Sequence, residues 1–369
     1  MKTIFLFFCI MFLGVTTAFG QSAEYTETAS VPPLISSIEI SPPVSFCGEK
    51  VPLDNQDVYE RLEKELLLSV WRRSQVVLWL KRIGRYMPYI ESMLKKNKMP
   101  ADLKYVPIVE SALLPHIGSS KNAIGYWQFI RPTGLRYGLK INSHMDERRN
   151  IYKSTVAAIK YLKKLHGDFG SWTLSAAAYN MGEGGLRSRI NFQKTRDFYN
   201  LYLPLETQQY ILKIVAAKMI LSDPKKYGFS FTKEDLYSPA EFDRIQVNCH
   251  RETSIQTIAQ AAKTYFKTIK DLNPELRGRR LPRGVYTISV PKGAARGFHA
   301  RFKKVSSEYA AKKKKRRSNK HIYVVKQGDS LSAIATKFNI SLSELLRWNR
   351  RLRLKKPIYP GSELVIYKR

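Results

Sequence analysis

From Val58 to Leu221 the apolar side chains recur at helical spacing, and nowhere in that stretch do they alternate with polar ones. A stripe at that spacing can be buried only along one side of a helix, whereas a half-buried strand requires strict alternation. The region is therefore expected to be an all-α globular domain. Leu62, Leu66, Leu67, Val70 and Trp71, followed by Val77, Leu78, Leu80 and Ile83, predict two or three helices before about Asn97. Pro100 is suited to open the next one, because proline is tolerated in a first turn. Ser154-Thr155 precede the run Val156 to Leu165, which ends near Gly167. Ser171 caps Trp172 to Tyr179, and the loop Gly182-Glu183-Gly184-Gly185 breaks that helix. Glu206 to Leu221 form a last helix with Tyr210, Ile211, Ile214, Val215 and Lys218 along one side.

Beyond this domain the pattern changes and repeats. Residues 322–367 begin with the strand-like Ile322-Tyr323-Val324-Val325 and the turn Gln327-Gly328-Asp329. Ser330 caps a helix from Leu331 to Phe338, and Ser341 with Glu344 forms a capping box for Leu342 to Trp348. Asn349 ends that helix, and Pro360-Gly361 leads into a closing strand, Glu363 to Tyr367. The same β-α-α-β frame recurs at 245–290: Ser254-Ile255-Gln256-Thr257-Ile258-Ala259 aligns with Ser330 to Ala335, and Asn273 follows Ser254 by 19 residues, as Asn349 follows Ser330. This earlier copy lacks the Gly-Asp turn and is the weaker one. The fold class that results is mainly α, with small α+β modules after the helical domain.

The ends and the charge speak to location. Residues 1–20 combine Lys2, a short apolar core and the ending Ala18-Phe19-Gly20, the pattern of a secretory signal cleaved before Gln21. Cys9 lies within the apolar core rather than at a lipoprotein cleavage site. No later stretch reaches the roughly 18 apolar residues of a membrane span. An exported protein of the periplasm or cell envelope is expected. Residues 21–55, rich in Ser, Thr and Pro, read as an extended or disordered lead-in. Cys47 and Cys249 remain in the mature chain, and their spacing leaves open whether they pair. Of the formal charge of +33, residues 221–369 hold +22, from 34 Lys and Arg against 12 Asp and Glu. Behind a signal sequence such a balance points to anionic envelope polymers or surfaces. No helix-turn-helix, zinc or RNA-binding pattern supports nucleic acid. The basic stretch 293–320, with Lys312 to Arg317 in one run, reads as a disordered linker that adheres to anions. His116, His144, His166, His250, His299 and His321 are scattered without metal-ligand spacing, so neither a metal nor a cofactor is expected.

Chemistry concentrates between Met99 and Phe129. Glu110 is the acid within the apolar run Val106, Ile108, Val109, Ala112, Leu113 and Leu114, and a turn containing Gly125-Tyr126-Trp127-Gln128 follows. A carboxyl held against apolar groups has a raised pKa, the condition for a general acid near neutrality. Taken alone, one Glu on a helix is more often a solvent-facing residue.

The neighbouring blocks change that balance. Val109-Glu110-Ser111, Gly125-Tyr126-Trp127-Gln128-Phe129, Ala178-Tyr179-Asn180-Met181-Gly182-Glu183-Gly184 and the late Tyr210 occur in the order found in lytic transglycosylases. Asp146-Glu147-Arg148 and Leu203-Pro204-Leu205-Glu206-Thr207 also fit. Residues 99–221 thus resemble the catalytic domain of the soluble-lytic-transglycosylase family, which is lysozyme-like, and most closely its membrane-bound lytic murein transglycosylase D group. Asn122 stands where that family usually has Gly, a substitution suited to left-handed backbone angles. Residues 321–368 resemble a LysM domain, and 241–292 a decayed one, with the helical domain at 56–225. The resemblance implies Glu110 as the catalytic acid, and Ser119, Gln128, Tyr179, Asn180 and Tyr210 as substrate-binding neighbours. It implies peptidoglycan glycan strands containing N-acetylglucosamine as the partner.

Most glycosidases use two carboxylates. The matching blocks supply one, because Asp146, Glu147, Glu183 and Glu206 lie in stretches that read as loops or caps. One carboxyl suffices if an N-acetyl sugar provides its own acetamide as nucleophile. Glu110 would then act first as acid and afterwards as base toward the sugar's 6-hydroxyl, leaving a 1,6-anhydro end. Tyr179 and Tyr210 could hydrogen-bond the ionised acid and stack on sugar. A lysozyme-type hydrolase and a non-catalytic glycan-binding scaffold are the alternatives.

Overall fold

The computed structural model describes residues 38–349, 352 and 357–367, with the backbone alone for 312–318. The expected signal segment 1–20 and the first part of the lead-in lie outside these residues. Among them, the chain runs through a short hairpin, β1 (Ser45–Phe46) and β2 (Glu49–Lys50), into two long helices, α1 (Gln56–Trp71) and α2 (Arg73–Lys96). A 3-10 turn (Ala101–Tyr105) then feeds α3 (Val106–Ser111), and α4 (Arg131–Arg136), α5 (Ile151–Phe169), α6 (Trp172–Met181), α7 (Glu183–Gln193) and α8 (Leu205–Ser222) follow. Pro100 precedes the 3-10 turn rather than the α-helix itself, and α3 begins with Pro107 in its first turn.

Helix α8 is apolar nearly all round, with Ile211, Leu212, Ile214, Val215, Ala216, Ala217 and Ile220 buried, and a helix of that kind belongs at a centre. It packs against α1, α3 and α6. The caps are those that the side chains dictate. Asn150 accepts from the N–H groups of Tyr152 and Lys153 at the start of α5, Gly170 ends it at φ +72°, and Ser171 accepts from Leu174 N–H at the start of α6.

The lead-in departs from expectation. From residue 38 it is folded onto the helical domain, where Ile38, Ile40, Val44, Phe46 and Val51 are buried in the main core. Each such burial contributes about 1.5–3 kcal/mol, enough to overcome the Ser- and Pro-rich composition. The anchoring is also polar. Cys47 N–H donates to Asp102 at 2.7 Å, and Lys218 Nζ bridges Asp102 and the carbonyl of Ser45 at 2.8 Å each. Glu49 accepts from Ser171 Oγ (2.8 Å), Trp172 N (2.5 Å), Thr173 N (3.0 Å) and Thr173 Oγ1 (2.6 Å), so the hairpin closes the N-terminus of α6.

The second module has its own core around Val247, Ile255, Ile258, Ile269, Leu281 and Ile288. Strand β3 (Phe242–Cys249) pairs antiparallel with β6 (Gly284–Pro291), while the short β4 (Thr253–Ser254) pairs with β5 (Arg280–Leu281). Between them lie α9 (Ile255–Ala261) and α10 (Phe266–Leu272). The third module repeats the plan with β7 (Lys320–Val324) antiparallel to β8 (Glu363–Tyr367), and α12 (Leu331–Lys337) and α13 (Leu342–Trp348) between them. Its core gathers Tyr323, Val325, Ile334, Leu345, Leu364 and Ile366.

The two asparagines aligned in the sequence do the same work. Asn273 Nδ2 donates to the carbonyls of Ile269 (2.7 Å) and Ser289 (2.8 Å), and its Oδ1 accepts from Ser289 N–H at 2.7 Å. Asn349 repeats this with Leu345 (2.9 Å), Val365 O (2.8 Å) and Val365 N–H (2.8 Å). Each ties the end of its module's second helix to the closing strand.

The basic stretch also differs from expectation. It is not a disordered linker, because α11 (Phe298–Ser318) runs through most of it, including Lys312 to Arg317. Phe298 is wholly buried in the second core, Phe302 stacks on it at 5.6 Å, and Arg301 donates to the carbonyls of Ala261 (2.7 Å) and Ala294 (2.9 Å). With its first turns anchored, a segment of Ala, Lys and Arg continues as helix. Those residues have high helix propensity, and like-charge neighbours oppose it by only about 0.2–0.5 kcal/mol per pair. Cys47 and Cys249 are both free thiols.

Candidate active site

Glu110 lies near the end of α3, which stops because Ala112 (φ +52°) and Leu113 (φ +59°) adopt left-handed backbone. Such conformations cost about 1–2 kcal/mol per residue and concentrate where geometry is fixed for function. Ser111, buried beside the acid, donates to the carbonyls of Pro107 (3.1 Å) and Tyr126 (2.8 Å), stapling the helix to the turn at 125–128. That turn has its own constraints. Gly125 sits at φ +84°, and a Cβ there would stand 2.0 Å from the Arg148 carbonyl oxygen, so only glycine fits. Trp127 is fully buried, with its indole N–H on Thr155 Oγ1 at 2.9 Å. Gln128 is held at φ +45° and Asn122 at φ +58°, the left-handed region that asparagine tolerates.

These elements wall a cleft of about 240 Å³ lined by Glu110, Ser119, Gln128, Tyr179 and Asn180, together with Phe129, Tyr161, Met181, Lys121 and Glu206. Tyr210 reaches the acid from α8 and donates its phenol to Glu110 Oε1 at 2.6 Å. Burial pushes the Glu110 carboxyl up to about 7; the bond from Tyr210 pulls against this, and the charge of Glu206 adds to the rise. Burial likewise lifts the phenols of Tyr179 and Tyr210 well above their ordinary range, with the Glu110 charge adding to it, so both stay protonated donors. A group that is half protonated near neutrality can give a proton and take one back within one turnover.

The expected neighbours divide by role. Tyr210 alone among them bonds the acid. Tyr179 donates to the carbonyl of Trp127 at 2.6 Å instead, which corrects the expectation that it bonds the acid. Gln128 Nε2 donates to the carbonyls of Ile117 (3.1 Å) and Gly125 (2.8 Å), so this half of its amide holds the loop. Ser119 Oγ accepts from Ala123 N–H at 3.2 Å. Asn180 Oδ1 accepts from Thr207 Oγ1 at 2.9 Å, joining α6 to α8 at the cleft edge.

The other carboxylates are engaged elsewhere. Asp146 is fully buried and takes Nε and Nη2 of Arg148 at 2.8 Å each. Glu147 accepts from Lys140 N–H and pairs with Lys153. Glu183 pairs with Arg136 at 3.0 Å and Lys164 at 2.8 Å. Glu206 does line the cleft, as an exposed side chain 3.8 Å from Lys121. Among the described residues no cluster of His, Cys, Asp and Glu could hold a metal ion.

Residues 87–202 match the transglycosylase SLT domain family, and residues 323–366 the LysM domain family. The chain is 33% identical over 366 residues to membrane-bound lytic murein transglycosylase D of Escherichia coli strain K12, covering 94% of this chain and 77% of that protein. The chain belongs to this family. The protein of the same name from Escherichia coli O6:H1 aligns with the same figures. A putative tributyltin chloride resistance protein of Alteromonas sp. strain M-1 is 28% identical over 155 residues, 40% of the chain and 75% of that protein.

In this member of the family, several cleft residues have no signal in the motifs. Lys121 and Thr133 line the cleft, but nothing in a single sequence shows which side chain faces a cleft. Arg148 closes the sequence block Asp146-Glu147-Arg148; its Nη1 bonds the carbonyls of Asn122 and Phe129 at 3.0 Å each, bracing both ends of the loop that bears Gln128. Its signal was the acidic residue two positions earlier, yet only the folded chain shows what the pair supports.

Proposed function

We propose that the protein is a peptidoglycan lytic transglycosylase cleaving the β-1,4 bond between N-acetylmuramic acid and N-acetylglucosamine without water. The observation that carries this reading is the Glu110 carboxyl, poised near pH 7 against the Tyr210 phenol on the wall of a cleft. Glu110 gives its proton to the glycosidic oxygen as the bond breaks, and the acetamide of the muramyl residue stabilises the electron-poor C1. Glu110, now ionised and held by Tyr210, takes the proton of the same sugar's 6-hydroxyl as that oxygen bonds C1. The product ends in 1,6-anhydro-N-acetylmuramic acid, and Glu110 is left protonated for the next cycle. Ser119, Gln128, Tyr179 and Asn180 shape the cleft that receives the glycan.

The LysM module at 321–368 brings the enzyme to glycan strands. Export to the periplasm or envelope follows from the segment 1–20, and no helix among the described residues is long and apolar enough to cross a membrane. The unbroken run of cations from Lys312 to Arg317 adds contact with an anionic envelope surface.

The test is Glu110→Gln on purified murein with products read by mass spectrometry. Anhydro-muropeptides, lighter by one water than hydrolytic products, should disappear; their survival would end the assignment of Glu110. One observation favours a second reading, lysozyme-type hydrolysis: Glu206 is a second carboxylate in the same cleft. Hydrolytic products from the native enzyme that vanish in Glu206→Gln would establish it.

A further inference from the structure

The weaker repeat docks on the catalytic domain through the segment between its second helix and its closing strand. Asp146 N–H donates to the Glu275 carbonyl at 2.8 Å, and Arg277 N–H to the His144 carbonyl at 2.9 Å. Met145 and Leu276 form an isolated antiparallel bridge, and the Met145 side chain is buried within the core of the module rather than in that of the helical domain. Asn150 Nδ2 donates to Glu275 Oε1 at 2.9 Å. Tyr152 adds a ring contact with Phe242 at 5.8 Å and lies under the Arg244 guanidinium at 4.3 Å.

The loop gripped in this way is the one that braces the cleft. Asp146 fixes Arg148 through two bonds of 2.8 Å, and Arg148 in turn holds the carbonyls of Asn122 and Phe129. A continuous path of hydrogen bonds therefore runs from the module, through the main-chain carbonyl of Glu275, then Asp146 and Arg148, to the loop that carries Ala123, Gln128 and Phe129 into the cleft. Glu275 is only 5% exposed, and its Oε2 has no partner among the described residues.

We propose that the second β-α-α-β module is a clamp on the catalytic cleft: the Glu275 main-chain carbonyl holds Asp146, and the Glu275 side chain is a positioning residue acting through Asn150, whose own N–H donates to the Glu147 carbonyl between Asp146 and Arg148. The role is distinct from reading sugar. The module sets the geometry of the loop facing Glu110, and a misplacement of about 1 Å in such a wall costs as much as about a hundredfold in rate.

The turnover arm of the test rests on the transglycosylase reading; the exchange arm does not. Full-length Glu275→Ala and Glu275→Gln are compared on short soluble murein glycan fragments, and amide hydrogen exchange is followed over 122–129 and over α8. In Glu275→Ala, kcat falls about tenfold with KM within about twofold, and exchange over 122–129 accelerates while α8 is unchanged. Glu275→Gln, which keeps an oxygen for Asn150, stays close to the native enzyme in both. If Glu275→Ala does not fold, Leu276→Ala takes its place with the same expectations. Unchanged exchange over 122–129 overturns the clamp, as does a loss confined to KM, the mark of a sugar-reading module. A loss that vanishes when rates are corrected for folded protein also overturns it. Faster exchange over 122–129 in a chain that shows no transglycosylase activity would uphold the clamp and refute the function.

Discussion

Tyr210→Phe isolates one hydrogen bond at the acid. The substitution removes the donor 2.6 Å from Glu110 Oε1 and leaves the ring in the core of α8. A bond to a charged group in such a setting contributes about 1.5–3 kcal/mol, equivalent to roughly 1–2 pKa units at 1.36 kcal/mol each. The sign follows from which form the bond favours. Tyr210 stabilises the ionised carboxylate, so its loss raises the Glu110 pKa further, from about 7 toward roughly 8–9. Activity that needs the protonated acid disappears as pH rises through that pKa, so the alkaline limb of the pH–rate profile moves up by about 1–2 units. In the proposed mechanism the second half-reaction passes through ionised Glu110, now deprived of its donor, so kcat at pH 7 is expected to fall by about tenfold or more. The assay is the rate of anhydro-muropeptide release across pH on purified murein. An alkaline limb that stays in place or moves down would refute the reasoning, because Glu110 would then not be the group whose ionisation limits the rate.

Three further outcomes follow from the same geometry. Glu49→Ala, which removes the acceptor for the Trp172 and Thr173 N–H groups at the start of α6, lowers stability by about 1–3 kcal/mol in chemical denaturation. Burial works to raise the Glu49 pKa, but bonds from Thr173, Trp172 and Ser171 hold it below its usual value; its contribution is therefore present above the ordinary carboxylate range and fades as pH falls through the depressed value. Glu65 behaves oppositely. It occupies the apolar stripe of α1, is 5% exposed, and burial raises its pKa. Glu65→Leu should stabilise the protein by about 1–3 kcal/mol at neutral pH, with a gain in thermal unfolding temperature that shrinks as acid neutralises the native side chain. Asn349→Ala removes the three bonds that join α13 to β8 and costs the LysM module about 2–3 kcal/mol. Wall binding should weaken in a pull-down while turnover of short soluble glycans is unchanged.

The sequence alone determined the outline of this protein. Helical periodicity over 58–221 made the first domain all-α, because no other element buries such a stripe. Two Ser-to-Asn frames of equal length announced two β-α-α-β modules, since capping serines and a helix-ending asparagine are local signals. Glu110, Gln128 and the Ala178-Tyr179-Asn180 block marked the candidate site. Tertiary structure decided what depends on residues distant in the chain. Composition made residues 38–55 look unfolded, yet Phe46 and Val51 found a core supplied by other segments, and Glu49 found the bare N–H groups of α6. The charge run from Lys312 is helical because Phe298, over a dozen residues earlier, is buried in a neighbouring module. Above all, the acidity of Glu110 belongs to no motif. Burial in the cleft wall and the phenol of Tyr210, 100 residues further along the chain, set it through space.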